Sequence, residues 1–329
     1  MSGWLSTSDS FPLRSTALLA IAVSAGLYVV RRAIQTRAPN RCGSIQPREE
    51  RVLIIGASSG LGRKVAKQYA ARGARVCIVA RRAEQLSLLA SECGQRCIWE
   101  AADFGNAQDM VRLRERLLAE WDGLDSLHIC AGVSAVQPVM NLAGVKPGEN
   151  HDAGTADIQR AVDVVTAATQ GNVYGPLVAA VTFIPMLTRT SISPSILLVS
   201  SVAAVVPAPT RAIYAATKAS SLLLFQSLAI EHPAITFTFI LPATIQGNFR
   251  ASAVDADTAS REAGPNREGL KLDYVADRCV DAVDRQVRGN VVIPWFPYAI
   301  AHHLYYIWPS FIEQRARKKY EFGNRSISK

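Results

Sequence analysis

The sequence predicts an α/β protein built on one parallel, doubly wound sheet with helices on both faces. Three observations predict it. Short aliphatic runs without helical period recur along the chain, amphipathic stretches separate them, and a glycine-rich turn follows the first run. RVLIIGA at 51–57 is the first, β-branched and apolar on both faces as a buried parallel strand must be. ARVCIVA, RCIWEAAD, SLHICAG, SILLVSS, ITFTFILP and GNVVIP follow it in order. GRKVAKQYAARG and MVRLRERLLAEW carry the helical period between them. Strand, helix, strand, repeated, implies right-handed crossovers. Two stretches break the rhythm: a glycine-rich polar loop at 143–157, and a polar segment at 243–272 expected to be mobile beside the active site.

The ends of the chain are different. Residues 16–30 (TALLAIAVSAGLYVV) form an apolar run followed by Arg31 and Arg32. It is short for a span unless Leu13 and Phe11 are included and Arg14 snorkels. A cleaved signal peptide is the other reading of this run; the weakly basic start and the following arginines favour a retained anchor. Their excess after the run places the downstream domain on the cytosolic side. Residues 31–50, with Pro39, Gly43 and Pro47, read as a linker. Near the other end, 291–312 carries seven aromatics and no charge. Pro294, Pro297 and Pro309 disfavour one straight spanning helix, so this segment is expected to lie in the membrane interface, or to pack on the core and cap the substrate pocket. The predicted organisation is an anchor and basic linker over 1–50, a catalytic domain over 51–294, and an aromatic segment with a basic tail over 295–329.

A net charge of +9 raises the question of nucleic acid. Most of the excess flanks the two apolar ends, where anionic headgroups are the natural partner. Membrane lipids are therefore expected as partners and nucleic acid is not. Six scattered cysteines lack zinc-site spacing and partner histidines, which argues against a metal and for a reducing compartment.

The chemistry is concentrated in four places. Gly56-Ala57-Ser58-Ser59-Gly60-Leu61-Gly62 joins the first strand to a helix, so the backbone approaches a pyrophosphate at a helix N-terminus. Arg81 and Arg82 follow the second strand, where an NAD enzyme keeps a carboxylate for the ribose. A cation there suits a 2′-phosphate, which predicts NADP(H); Arg81 is expected to face it and Arg82 to be solvated. Asp103, ending the third strand, is expected either to reach the adenine or to cap a helix. Tyr214 and Lys218 stand one helical turn apart, so phenol and ammonium share a face. A lysine about 4 Å away supplies energy of the order needed to lower a phenol's pKa by ~3 units. Ser201, thirteen residues earlier, ends a strand where ligands of doubly wound sheets sit. Its hydroxyl can bond a carbonyl, or it is a turn residue.

GASSGLG, Ala131-Gly132 after the fourth strand, Asn172 in NVYG, Ser201, Tyr214 and Lys218 together resemble the short-chain dehydrogenase/reductase family over residues 51–294. The resemblance implies a Rossmann-like domain that binds NADP(H), with Tyr214 as general acid/base. It also implies that Lys218 lowers the phenol's pKa and holds the nicotinamide ribose, that Ser201 orients the carbonyl, and that Asn172 supports a water-borne proton relay. Ile129 and Cys130 stand where the family has two asparagines, and Ala243 follows Pro242 where it has glycine. The basic RARKK tail and N-terminal run resemble membrane-bound members acting on lipids. The expectation is reversible carbonyl reduction on a hydrophobic substrate at the endoplasmic reticulum; family members often pair through helices, and a homodimer is left open. The competing reading is a catalytically weak NADP(H)-binding or partner-binding scaffold.

Overall fold

The aliphatic runs become seven strands: β1 (Arg51–Ile55), β2 (Arg75–Ala80), β3 (Cys97–Ala101), β4 (Ser126–Ile129), β5 (Ser195–Val199), β6 (Thr236–Pro242) and β7 (Gly289–Ile293). They form one sheet in the order β3-β2-β1-β4-β5-β6-β7, with every pair parallel. The computed structural model describes residues 26, 41–145, 150–256 and 266–320.

Strand alternation divides the core into two layers. Leu53 and Ile55 face α3 (Ala107–Trp121), α5 (Gly175–Thr190) and α6 (Ala212–Glu231) through Leu113, Phe183 and Phe225. Val52 and Ile54 face α1 (Gly60–Ala71), α2 (Ala83–Cys93) and α7 (Leu272–Asp284) through Val65, Leu86 and Val275. Each fully buried aliphatic side chain contributes roughly 1.5–3 kcal/mol, so both layers are needed. The sheet order reverses between β1 and β4. The crevice above their carboxyl ends is where such sheets bind ligands.

α4 (Thr155–Thr169) continues into α5 through a π-helical turn, Gln170–Tyr174. The continuous helix at 155–190 and α6 are each long and apolar enough to cross a membrane by length and composition. Both lie in the helix layer on one face of the sheet, and they carry Asn172, Tyr214 and Lys218.

Residues 41–50 differ from the expected linker. Arg41 is 2% exposed, and its guanidinium pairs with Glu50 and donates to the Asp125 and Ser193 carbonyls at 3.0 Å. Arg51 pairs with Asp125 at 2.9 Å. Two arginines assigned to lipid headgroups are therefore neutralised inside the fold, at the foot of the sheet. Residues 1–25, 27–40 and 321–329, which include the apolar run apart from Gly26 and the end of the basic tail, lie outside the described residues.

The aromatic segment forms two helices, α8 (Trp295–Ile307) and α9 (Pro309–Lys319), broken at Trp308. His302 Nδ1 lies 3.0 Å from the Val205 carbonyl, so α8 sits over the turn that follows β5. Phe296, Tyr306 and Ile307 are exposed.

Candidate active site

The first strand ends in a turn that only glycine can make. Gly56 has φ +88°, and a Cβ there would stand 2.6 Å from Ala131 Cα, because the β4 loop passes directly beneath it. Gly60 has φ +56° and would point a Cβ into open space, on the side where a phosphate would lie. Ser59 caps α1 without a side-chain hydrogen bond, so the helix's first amides are left for an anion. Leu61 and Gly62 turn inward and are buried. This cradle fits a dinucleotide pyrophosphate.

Both arginines are exposed, and they differ in what they touch. Arg82 donates from Nη2 to Ser58 Oγ at 2.8 Å and Ser59 Oγ at 2.7 Å, and from Nε to Ser58 Oγ at 3.2 Å. Arg81 is exposed and makes no hydrogen bond or ion pair among the described residues. The reason is local: Arg82 is the N-cap of α2, which aims its side chain back over the glycine turn. Asp103 is exposed, and its Oδ1 accepts the Gly105 amide at 2.9 Å; the cap of α3 is Asn106.

The catalytic candidates converge above β4 and β5. Ser201 follows β5, its Oγ accepts the Ala203 amide at 3.1 Å, and its hydroxyl stands close enough to the Tyr214 phenol to favour the ionised form. The bond from the Ala203 amide is that of a turn residue. Lys218, 4% exposed, donates from Nζ to the Val199 carbonyl at 3.0 Å. Burial pushes its ammonium down to about 8, with a small opposing effect from Cys130. Tyr214 is half-buried. Burial raises its phenol above the ordinary value, and the Ser201 hydrogen bond and Arg211 oppose that rise.

Asn172 is fully buried inside the π turn, where the extra residue rotates its side chain inward. Its Oδ1 accepts the Val133 amide at 2.9 Å, and its Nδ2 donates to the Val133 carbonyl at 2.9 Å and to Thr217 Oγ1 at 3.0 Å. Thr217, unmarked in the sequence, ties this amide to the helix that carries Tyr214. Gly132 separates Asn172 from Lys218. A Cβ there would stand 3.0 Å from Asn172 Oδ1 and 2.9 Å from Lys218 Nζ. Of the two replaced asparagines, Ile129 is a core residue and Cys130 lies beside Lys218, its thiol pushed up to about 12 by burial.

The model of the short chain dehydrogenase family matches residues 50–258. The chain belongs to that family. It is an oxidoreductase family that binds a nicotinamide cofactor, and the glycine cradle and the Ser201–Tyr214–Lys218 arrangement lie within the matched residues. An 11-beta-hydroxysteroid dehydrogenase-like protein (4A) of Arabidopsis thaliana is 30% identical over 200 residues, 59% of this chain. The chain spans 60% of the length of that relative. An 11-beta-hydroxysteroid dehydrogenase (1A) of the same plant is 28% identical over 83% of this chain and 76% of its own length. Among solved structures, an alcohol dehydrogenase of Thermococcus sibiricus complexed with 5-hydroxy-NADP superposes with a TM-score of 0.59 at 20% identity. That superposition covers 74% of this chain and 95% of the other, and it supports the fold.

The segment after β6 closes one side of the site. Phe249 meets the Tyr214 ring edge to face at 6.0 Å. Asp255, 7% exposed, accepts the Val136 amide at 2.9 Å and the Gln137 amide at 2.8 Å, latching this segment to the β4 loop. No signal in the sequence marked Asp255, since its partners are backbone amides.

Proposed function

We propose that the chain is an NADP(H)-dependent oxidoreductase that interconverts a carbonyl and an alcohol on a hydrophobic, lipid-like substrate. The observation that carries this is the meeting of Ser201 and Tyr214 at the carboxyl end of β5, beside buried Lys218 and one loop away from the glycine cradle. Bound NADPH would supply the hydride to the carbonyl carbon. Ser201 then holds the carbonyl oxygen, and Tyr214 gives it a proton, so that an alcohol leaves. Lys218 would hold a ribose hydroxyl, and Asn172 would support the proton relay by steadying a water beside it, since both its amide hydrogens are already committed. In the reverse direction the phenolate takes the alcohol's proton.

The two cations that follow β2, Arg81 and Arg82, support NADP(H) over NAD(H), because a 2′-phosphate would meet positive charge where an NAD enzyme keeps a carboxylate for the ribose hydroxyl. Tyr214 packs into an apolar cluster with Ala135, Leu142, Ile213 and Val254, which supports a hydrophobic substrate. The names of the plant relatives agree with that class. Exposed Phe296, Tyr306 and Ile307 on α8, with Arg315, Arg317, Lys318 and Lys319 on α9, support a membrane surface, which we place at the endoplasmic reticulum with the domain facing the cytosol. Val162 and Val181, exposed on the helix at 155–190, and Leu223, exposed on α6, support pairing with a second copy.

The test is NADPH consumption by the full chain in detergent against a panel of lipid ketones. Turnover with NADPH and weak turnover with NADH is expected. Arg82→Ala should weaken NADPH binding by about tenfold to a hundredfold, the worth of a charge-assisted bond, and leave NADH nearly unchanged. Equal binding of both cofactors by the wild type, indifferent to Arg82, would overturn the NADP assignment. No reduction of any ketone with either cofactor would overturn the activity.

A further inference from the structure

Arg211 immediately precedes α6, three residues before Tyr214, and is 8% exposed. Its Nη1 donates to Ser134 Oγ at 2.9 Å and to the Ala135 carbonyl at 3.1 Å, both neutral acceptors. It forms no ion pair with a carboxylate among the described residues. A buried cation without a counter-ion is costly to a fold, so its retention here needs a compensating role. Its guanidinium carbon lies 5.9 Å from the centre of the Tyr214 ring. The Lys218 ammonium, the other cation carried by this part of α6, donates to the Val199 carbonyl.

The other charged and titratable groups here do not displace it. From the segment after β6, Arg250 and Asp255 face Arg211; the Asp255 carboxylate is already held by two backbone amides, and Arg250 is exposed. Tyr320 faces it from the end of α9. From the turn after β5, the phenol meets the neutral Ser201 hydroxyl. Tyr214 also stands in the first turn of α6, where the helix dipole presents its positive end and reinforces the same sign.

We propose that Arg211 is a positioning residue whose charge stabilises the phenolate form of Tyr214, in addition to the action expected of Lys218. This rests on the reading of Tyr214 as the acid/base group, and its test needs no turnover. In the full chain in detergent, tyrosines labelled with ¹³C at Cζ are titrated by NMR, and the Tyr214 resonance is identified by its loss in Tyr214→Phe. In Arg211→Met the phenol should ionise at higher pH, so that at one fixed pH its ionised fraction falls several-fold. Arg211→Lys, which keeps the charge, should return the titration most of the way. If Arg211→Met does not fold, Arg211→Gln replaces it, since glutamine can still donate to Ser134 and Ala135.

An unmoved titration in the neutral variants would overturn the proposal. So would an Arg211→Lys titration as far displaced as that of the neutral variant, because the arginine would then act through its hydrogen bonds alone. If the titration responds as expected while no ketone is ever reduced, the inference about Arg211 stands and the proposed activity fails.

Discussion

Tyr214→Phe is expected to lower carbonyl turnover by about a hundredfold to ten-thousandfold, the range general acid catalysis contributes. The ring keeps its edge-to-face contact with Phe249, so packing changes little. What goes is the hydroxyl on which Ser201 and Arg211 act. The glycine turn and Arg82 are untouched, so NADPH binding, followed by quenching of cofactor fluorescence, should stay within about twofold. This contrast separates the enzyme from the scaffold: a scaffold would keep its cellular role with phenylalanine at 214, whereas an enzyme would lose it with cofactor affinity intact. Ser201→Ala should produce a smaller loss, about tenfold to a hundredfold, because one neutral hydrogen bond to the substrate oxygen disappears and the acid remains.

The sheet was legible because its strands are buried on both faces and must be written in unbroken aliphatic letters. All seven runs became strands. The glycine turn was legible for a related reason, since close backbone approach leaves no room for a side chain. That Ser201 follows a strand and that Tyr214 and Lys218 share a helix was legible by spacing. Elsewhere the sequence was silent for identifiable causes. Whether Arg81 or Arg82 faces the turn depends on where α2 begins, and that is decided by packing. The π turn that aims Asn172 has no residue pattern of its own. Arg211 reaches the phenol only because the β4 loop presents Ser134 and Ala135 as its anchor. Residues 41–50 looked like linker because their composition is polar, yet their charges are internal.

That internal network supplies the second large effect. Glu50→Ala is expected to cost about 3–5 kcal/mol, the usual penalty for removing one partner of a buried ion pair. Glu50 is 2% exposed, and its carboxylate meets Arg41 and Arg72 while accepting the Ser126 hydroxyl at 2.9 Å. Alanine leaves a 2% exposed guanidinium at Arg41 whose remaining partners are carbonyls. Arg72 is better protected, because Asp284 grips it at 2.8 and 2.9 Å and the Tyr69 ring lies 4.1 Å beneath its guanidinium carbon. The penalty therefore falls mainly on Arg41, and Arg41→Met together with Glu50→Ala should recover much of the stability lost by Glu50→Ala alone. Denaturant midpoints of the full chain in detergent measure both. Total stabilities of only about 5–15 kcal/mol make the single variant's loss a large fraction of the whole. The cluster lies at the foot of β1 and β4, and the chemistry lies at their heads. Turnover per folded molecule should accordingly match the wild type, and a fall in turnover as large as the fall in stability would show that the two ends of the sheet are not independent.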